Sequence, residues 1–86
     1  MFYKIIENYI KNMTKENIVS FSLKNSIYLN NQEIDYIYKT IKEKYNLLLS
    51  DDYKIVFDDA KNYISSNNLK KIYNLFIDYR NKYFFN

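Results

Sequence analysis

The sequence predicts an all-α fold, a compact bundle of about five short helices in a single helical domain over residues 1–86. Apolar residues recur at spacings of three and four along most of the chain, which is the period of an amphipathic helix. The chain contains no glycine and no proline, so its turns must be made by asparagine and serine. Its hydrophobic fraction of 48% and charged fraction of 27% are typical of a chain that folds.

The first two predicted helices are separated by Thr14. The apolar stripe of the first helix is formed by Phe2, Ile5, Ile6, Tyr9, Ile10 and Met13. Thr14 is predicted to cap the second helix, because its hydroxyl accepts a hydrogen bond from a free N–H group of the next turn. Glu16 lies where a carboxylate favours the positive end of the helix dipole. The second helix is short and fades near Asn25 and Ser26.

An extended apolar link at residues 27–29 leads into the third helix and is predicted to be buried. Asn30 or Asn31 is predicted to cap this helix. Its apolar stripe is formed by Ile34, Ile37, Tyr38, Ile41, Tyr45 and Leu48. Asp35 and Lys39 have the i,i+4 spacing of an ion pair on the outer face of a helix.

Ser50 is predicted to cap the fourth helix, and Asp51 and Asp52 favour its positive end. The buried face of this helix is formed by Tyr53, Val56, Phe57, Ala60 and Ile64. Two serines and two asparagines at residues 65–68 predict a break before the fifth helix.

The fifth helix is predicted from residue 69 onward, and it has the widest apolar surface. Its stripe is formed by Leu69, Ile72, Tyr73, Phe76, Tyr79 and Tyr83. Leu75 and Ile77 extend this surface beyond a single stripe. We therefore predict that the fifth helix is the central one.

The composition excludes most catalytic chemistry. The chain has no histidine, cysteine or glycine, which excludes hydrolytic triads, thiol nucleophiles, Cys/His metal sites and glycine-rich phosphate loops. The acidic doublets Asp51-Asp52 and Asp58-Asp59 lie seven residues apart and could share a helix face. We interpret them as a helix start and a solvated face, because calcium takes about 6–8 oxygen ligands. We predict no enzyme activity, no cofactor and no metal site.

The fifth helix carries four basic residues and one acidic residue, an excess equal to the net charge of +3 of the whole chain. Basic side chains beside exposed aromatic rings suit phosphate contacts and base stacking. The same aromatic residues have the spacing of a core, which leaves the lysines as an ordinary solvated face. The candidate partner or nucleic-acid surface consists of Lys70, Lys71, Arg80, Lys82, Phe84 and Phe85. The two phenylalanines are hard to bury and indicate a protein partner or a dimer contact.

Three segments are similar to those of the YqfT-like family, small proteins of low-GC Gram-positive bacteria that carry a domain of unknown function. The segments are MTKENI at residues 13–18, IYLNNQE at residues 27–33 and KIYNLF at residues 71–76. The family has a glycine before its second segment and a basic loop after its third helix, where this chain has Asn25-Ser26 and Lys42-Glu43-Lys44. The resemblance implies an all-helical fold and a bacterial cytosolic setting, and it implies no activity, cofactor or site residues.

The sequence leaves two functions open. The first is a small non-enzymatic protein-interaction module, with a protein partner or a second copy of the chain. The alternative is a nucleic-acid-binding accessory protein that uses the basic fifth helix, in line with a pI of about 9.0. We predict a cytoplasmic protein with no membrane partner, because the chain has no signal-peptide pattern and no apolar stretch of about 18 residues.

Overall fold

A computed structural model describes residues 2–84 as five α-helices, with side chains described for residues 4–82. The helices are α1 (Phe2–Asn12), α2 (Lys15–Lys24), α3 (Asn31–Leu48), α4 (Tyr53–Ala60) and α5 (Ser66–Phe84). This part of the chain contains no strand. The predicted all-α fold with five helices is therefore confirmed.

The cap predicted at Thr14 is confirmed and is reciprocal. The Thr14 hydroxyl accepts a hydrogen bond from the Asn17 backbone N–H at 3.2 Å. The Asn17 side-chain oxygen in turn accepts one from the Thr14 backbone N–H at 2.9 Å. This capping box satisfies two N–H groups that the first turn of α2 leaves without a helical partner.

The end of α2 requires a left-handed backbone at a residue that is not glycine. Ser26 has a φ of 60°. Its N–H bonds to the Leu23 carbonyl at 3.1 Å, and the Ile27 N–H bonds to the Ser22 carbonyl at 2.8 Å. These two bonds define a Schellman motif, which usually places glycine at this position. The motif turns the chain so that Ile27 enters the core with only 3% of its surface exposed.

Ser26→Gly is expected to raise the free energy of unfolding by about 0.5–1 kcal/mol, because glycine adopts positive φ without a Cβ clash. Urea denaturation at neutral pH measures this difference. Ser26→Ala is the control and should give no gain, since alanine keeps the Cβ. A destabilising Ser26→Gly substitution would contradict the role of backbone strain at this position.

The N-terminus of α3 is capped by Asn30, one of the two predicted residues. Its side-chain oxygen accepts from the Glu33 backbone N–H at 2.8 Å, and the Glu33 carboxylate accepts from the Asn30 N–H at 3.0 Å. The prediction that Asp35 forms an ion pair with Lys39 is wrong. Among the described side chains, Asp35 pairs with Lys15 of α2 at 2.8 Å, because α2 packs against this face of α3.

Ser50 is not the N-cap of α4, so this prediction is wrong. Its hydroxyl donates to the Leu47 carbonyl at 2.8 Å and accepts from the Asp52 N–H at 3.0 Å. The first bond satisfies a carbonyl in the last turn of α3, and the second stabilises the turn before α4. The N-cap of α4 is Asp52, whose side chain makes no capping bond.

The predicted break at residues 65–68 is shorter in the structure. The Ser65 hydroxyl accepts from the Asn68 N–H at 3.3 Å, and the Ser65 carbonyl accepts from the Leu69 N–H at 2.8 Å. Ser65 therefore starts α5 by capping it, and the helix begins at Ser66. Residues that favour caps are indistinguishable by type from residues that form a loop.

The central helix is α3 and not α5, which corrects the prediction. The backbone of α3 packs closely against α1, α2 and α4. In contrast, α5 reaches its neighbours through aromatic rings. Phe57 of α4 lies between Tyr73 and Phe76, at 5.0 and 5.2 Å between ring centroids. These large side chains lie between the helices and hold the backbone of α5 away from that of α4.

The core is small and is not closed. The buried apolar residues of the described chain are Met13, Ile18, Ile27, Val56, Ala60 and Ile64. Their exposed fractions range from 3% to 8%, and no large side chain in the described part falls below 2%. The predicted burial of the link at residues 27–29 is correct for Ile27, whereas Tyr28 is 71% exposed. None of the described helices is both long enough and apolar enough to span a bilayer.

Candidate functional site

An apolar groove opens between α1, α2, α3 and α5 and reaches the core. Its volume is about 340 Å³. The floor includes the core residues Met13, Ile18 and Ile27, and one wall is built by the α5 residues Leu75 and Phe76. Ligand pockets in helical proteins form between helices in this way, with volumes from about 300 Å³ upward. We refer to this feature as the apolar groove.

Within the part of the chain that the structure describes, the walls of the apolar groove carry no charged side chain. The polar side chains in the lining are Asn17 and Ser22, with the tyrosines Tyr9 and Tyr79. Asn17 is already engaged in the capping box of α2, and Ser22 is 7% exposed. Because charged groups are absent from the walls, the chemistry of the groove favours an apolar occupant.

Exposed apolar side chains surround the mouth of the groove. Tyr9 of α1 is 69% exposed, and Phe21 and Tyr79 are 45% and 41% exposed. The Phe21 and Tyr79 rings contact each other at 5.8 Å between centroids, so α2 and α5 meet at this edge. Ile5, one turn before Tyr9 on α1, is 64% exposed. The sequence placed Tyr9, Ile5 and Tyr79 in core stripes, and the structure leaves them at the surface.

Helix α1 is held against α3 by polar contacts in its last turn and near its middle. The Lys42 ammonium group donates to the Ile10 and Lys11 carbonyls at 2.7 and 2.9 Å. These carbonyls belong to the last turn of α1, where cations are favourable. Nearer the N-terminus, the Tyr45 hydroxyl donates to the Glu7 carboxylate at 2.9 Å. The contacts fix the orientation in which α1 presents Ile5 and Tyr9.

The basic residues predicted as a surface on α5 do not lie together. Arg80 is buried, with 6% of its surface exposed. Its guanidinium group donates to the Leu48 carbonyl at 3.3 Å and to Asp51 at 3.1 Å, and it lies 4.6 Å from the centre of the Tyr53 ring. Arg80 therefore joins α5 to the end of α3 and the start of α4. This position removes it from any exposed basic surface.

The three lysines of the predicted surface have different surroundings. Lys71 is exposed and donates to the Ser26 carbonyl at 3.4 Å, at the end of α2. Lys82 is exposed near the end of α5. Lys70 lines a second concavity together with Lys54 and Lys61. The other two predicted residues are Phe84, whose side chain lies outside the described part, and Phe85, which lies outside the described residues.

The second concavity lies between α4 and α5 and has a volume of about 580 Å³. We refer to it as the lysine cleft. The rings of Phe57 and Tyr73 belong to its lining. Lys61 is engaged with Asp58 at 3.1 Å in an exposed ion pair. The cleft is thus a shallow, solvated feature with partly compensated charge, in contrast to the apolar groove.

The acidic doublets make contacts within the fold. Asp51 pairs with Arg80, and Asp58 pairs with Lys61. Asp59 accepts a hydrogen bond from the Tyr36 hydroxyl at 2.7 Å. Burial and this bond to Asp59 raise the pKa of Tyr36 to about 12. In the part of the chain that the structure describes, no three acidic side chains come together as a metal site.

Glu33 forms a buried junction that sequence reasoning missed. It is 3% exposed, and its carboxylate accepts hydrogen bonds from the Asn30 N–H, the Ser65 N–H at 2.9 Å and the Asn68 side-chain amide at 3.1 Å. Burial alone would raise the pKa of Glu33, but these hydrogen bonds outweigh it and hold the pKa below the ordinary value of 4.5. The Asn68 amide also donates to the Tyr28 carbonyl at 3.0 Å.

The Glu33 junction therefore joins the start of α3, the start of α5 and the link after α2 through one carboxylate. Every hydrogen bond at this carboxylate is internal to the fold. Hydrogen bonds of this kind favour the ionised form of the carboxylate and stabilise the fold. Glu33 is a structural residue, and the apolar groove is the stronger candidate for a functional site.

Comparisons of the chain with protein-family models, with curated proteins and with solved structures give no match. The resemblance to the YqfT-like family therefore stays a prediction from the three sequence segments.

Proposed function

We propose that this protein is a small non-enzymatic interaction module that holds a protein partner in the apolar groove. The observation that carries the proposal is the uncharged lining of a groove that reaches Met13, Ile18 and Ile27 of the core. The proposal includes the cytoplasmic setting predicted from the sequence.

The energetics favour a partner that contributes an apolar surface. Burial of apolar area contributes about 25 cal/mol per Å², whereas association costs about 4–15 kcal/mol in lost freedom. The occupant must therefore cover the exposed mouth at Tyr9, Phe21 and Tyr79 as well as fill the groove. The apolar face of an amphipathic helix has this shape, because its anchors recur every three or four residues.

Helical peptides selected from a display library on the immobilised protein test this function. Selected peptides are expected to carry apolar anchors at i, i+3 or i+4, and i+7. Phe21→Lys should weaken their binding by about tenfold or more, because it places a charge at the mouth of the groove. Fluorescence anisotropy with labelled peptides measures the loss.

Tyr63→Lys is the matched control, since Tyr63 is 57% exposed and stacks on Tyr36 away from the groove. Binding to this variant should equal that of the unmodified protein. Peptides that bind both variants equally well, or a selection without binders, would argue against the groove as a partner site.

The alternative predicted from the sequence, nucleic-acid binding through α5, is a weaker proposal. Arg80 is engaged inside the fold, and Lys71 is bonded at the end of α2. Lys70 lies with Lys54 and Lys61 in the lysine cleft, where Asp58 partly compensates their charge. A charge distribution of this kind gives no continuous track for a phosphate backbone.

A further inference from the structure

We propose that the partner in the apolar groove is a second copy of this chain, and that Ile5 and Tyr9 of each α1 enter the groove of the other protomer. The inference rests on the proposed function of the groove and adds the identity of its occupant. It follows from the accessible surface area of the chain, from the shape of the face around the groove and from the charge of that face.

The accessible surface is larger than a closed domain of this mass requires. It measures 6263 Å² for a chain of 10.6 kDa, whereas the scaling for monomeric proteins gives about 5,500 Å². The radius of gyration of 12.4 Å is close to the value of about 12 Å expected for a compact chain of this length. The larger surface is therefore not a result of elongation.

A stable interface needs more surface than the groove alone provides. Standard interfaces bury about 800 Å² on each partner, so the dimer must also bury the exposed side chains of Ile5, Tyr9, Phe21 and Tyr79. Every large side chain that the structure describes is at least 2% exposed, so the core is open. An open core is consistent with a fold that is completed by association. Oligomerisation is a usual way for small domains to gain buried area.

The face around the groove is self-complementary. A two-fold symmetric dimer needs both a projection and a recess on the same face, because each contact occurs twice. Ile5 and Tyr9 lie one turn apart on α1 and project with exposed fractions of 64% and 69%. Tyr9 also lines the groove, so the projection and the recess are adjacent. The exposed Phe21 and Tyr79 rings form the opposite edge of the same recess.

The charge of this face permits two identical copies to meet. Among the residues that the structure describes, the groove lining has no charged side chain, so the contacts inside the groove bring no like charges together. Each chain carries a net charge of +3, which repels the second copy from a distance and is screened by salt. A dimer built on this face should therefore be unaffected or strengthened by salt, unlike a complex held by opposite charges.

Light scattering coupled to gel filtration tests the dimer at about 100 µM protein, which is well above a micromolar Kd. The unmodified protein should have twice the chain mass of 10.6 kDa, at low salt and at about 0.5 M salt. Ile5→Lys should reduce the mass to that of one chain. The matched control is Ile55→Lys, because Ile55 is 60% exposed on α4 and is not part of the groove lining.

Circular dichroism should show the same helix content for both variants, since both side chains are largely exposed. A dimer that survives Ile5→Lys, or that Ile55→Lys also dissociates, would overturn the assignment of the interface. A strict monomer for the unmodified protein would overturn the dimer itself. If that monomer still binds helical peptides in a Phe21-dependent way, the proposed function stands without the dimer. If it binds none, both fall.

Discussion

Glu33→Ala is expected to lower the free energy of unfolding by about 3 kcal/mol, which would be a large share of the stability of a domain this small. The substitution leaves the Asn30 N–H, the Ser65 N–H and the Asn68 amide without their acceptor. A part-buried donor that loses its partner costs about 1–3 kcal/mol, and hydrogen bonds to charged groups lie at the upper end. Urea denaturation followed by circular dichroism measures the change.

Glu43→Ala is the control, since Glu43 lies on the exposed face of the same helix. Its effect should stay within about 0.5 kcal/mol, as for other exposed positions. An equal loss in the two variants would show that the effect does not come from the Glu33 junction.

The contribution of the Glu33 junction should also depend on pH. The pKa of Glu33 in the folded protein lies below its ordinary value of 4.5, so the folded state binds the proton less readily than the unfolded state does. The stabilisation is therefore fully present above pH 4.5 and is lost as the pH falls through the folded pKa. The stability difference between the unmodified protein and Glu33→Gln should shrink at low pH. A difference that is constant with pH would contradict an ionised Glu33.

Arg80→Ala is expected to cost about 2–3 kcal/mol, the second large effect. The substitution removes a buried side chain that packs on the Tyr53 ring and leaves the Leu48 carbonyl without this donor. That carbonyl belongs to the last turn of α3, where carbonyl groups need a partner outside the helix. The lost packing and the unpaired carbonyl both contribute. The same urea denaturation assay applies.

Asp51→Ala removes the ion pair of Arg80 and keeps its packing, so it distinguishes the two contributions to stability. The side chain of Asp51 is 98% exposed, and an ion pair with an exposed partner contributes at most about 1 kcal/mol. We therefore expect Asp51→Ala to cost much less than Arg80→Ala. Equal losses would mean that the ion pair dominates, which would contradict this account of Arg80.

The helices could be predicted from the sequence because their signals are local. The Thr14 cap depends on residues three positions apart, and the apolar stripes follow the helical period. The error at Ser50 has a local origin too. A serine hydroxyl near the end of one helix and the start of the next serves either of them equally well, and only the path of the chain decides.

The Glu33 junction and the apolar groove could not be predicted, because their partners are distant in sequence. Glu33 lies in the first turn of α3, where an acidic residue is usually explained by the helix dipole. Its other partners, Ser65 and Asn68, follow more than thirty residues later. The apolar stripe of α1 predicted a buried face. No spacing rule shows that Ile5 and Tyr9 remain exposed after the other helices have packed.

The central position of α3 has a consequence for how the chain folds. Its neighbours α2 and α4 are also its neighbours in sequence, so most of its packing closes short loops. Low contact order of this kind is associated with folding in microseconds to milliseconds. The Glu33 junction is one of the long-range contacts that must form as well, together with those of Lys42 and Arg80. Because Ser65 and Asn68 lie at the start of α5, the Glu33 carboxylate can accept their hydrogen bonds only after α5 has packed beside the start of α3.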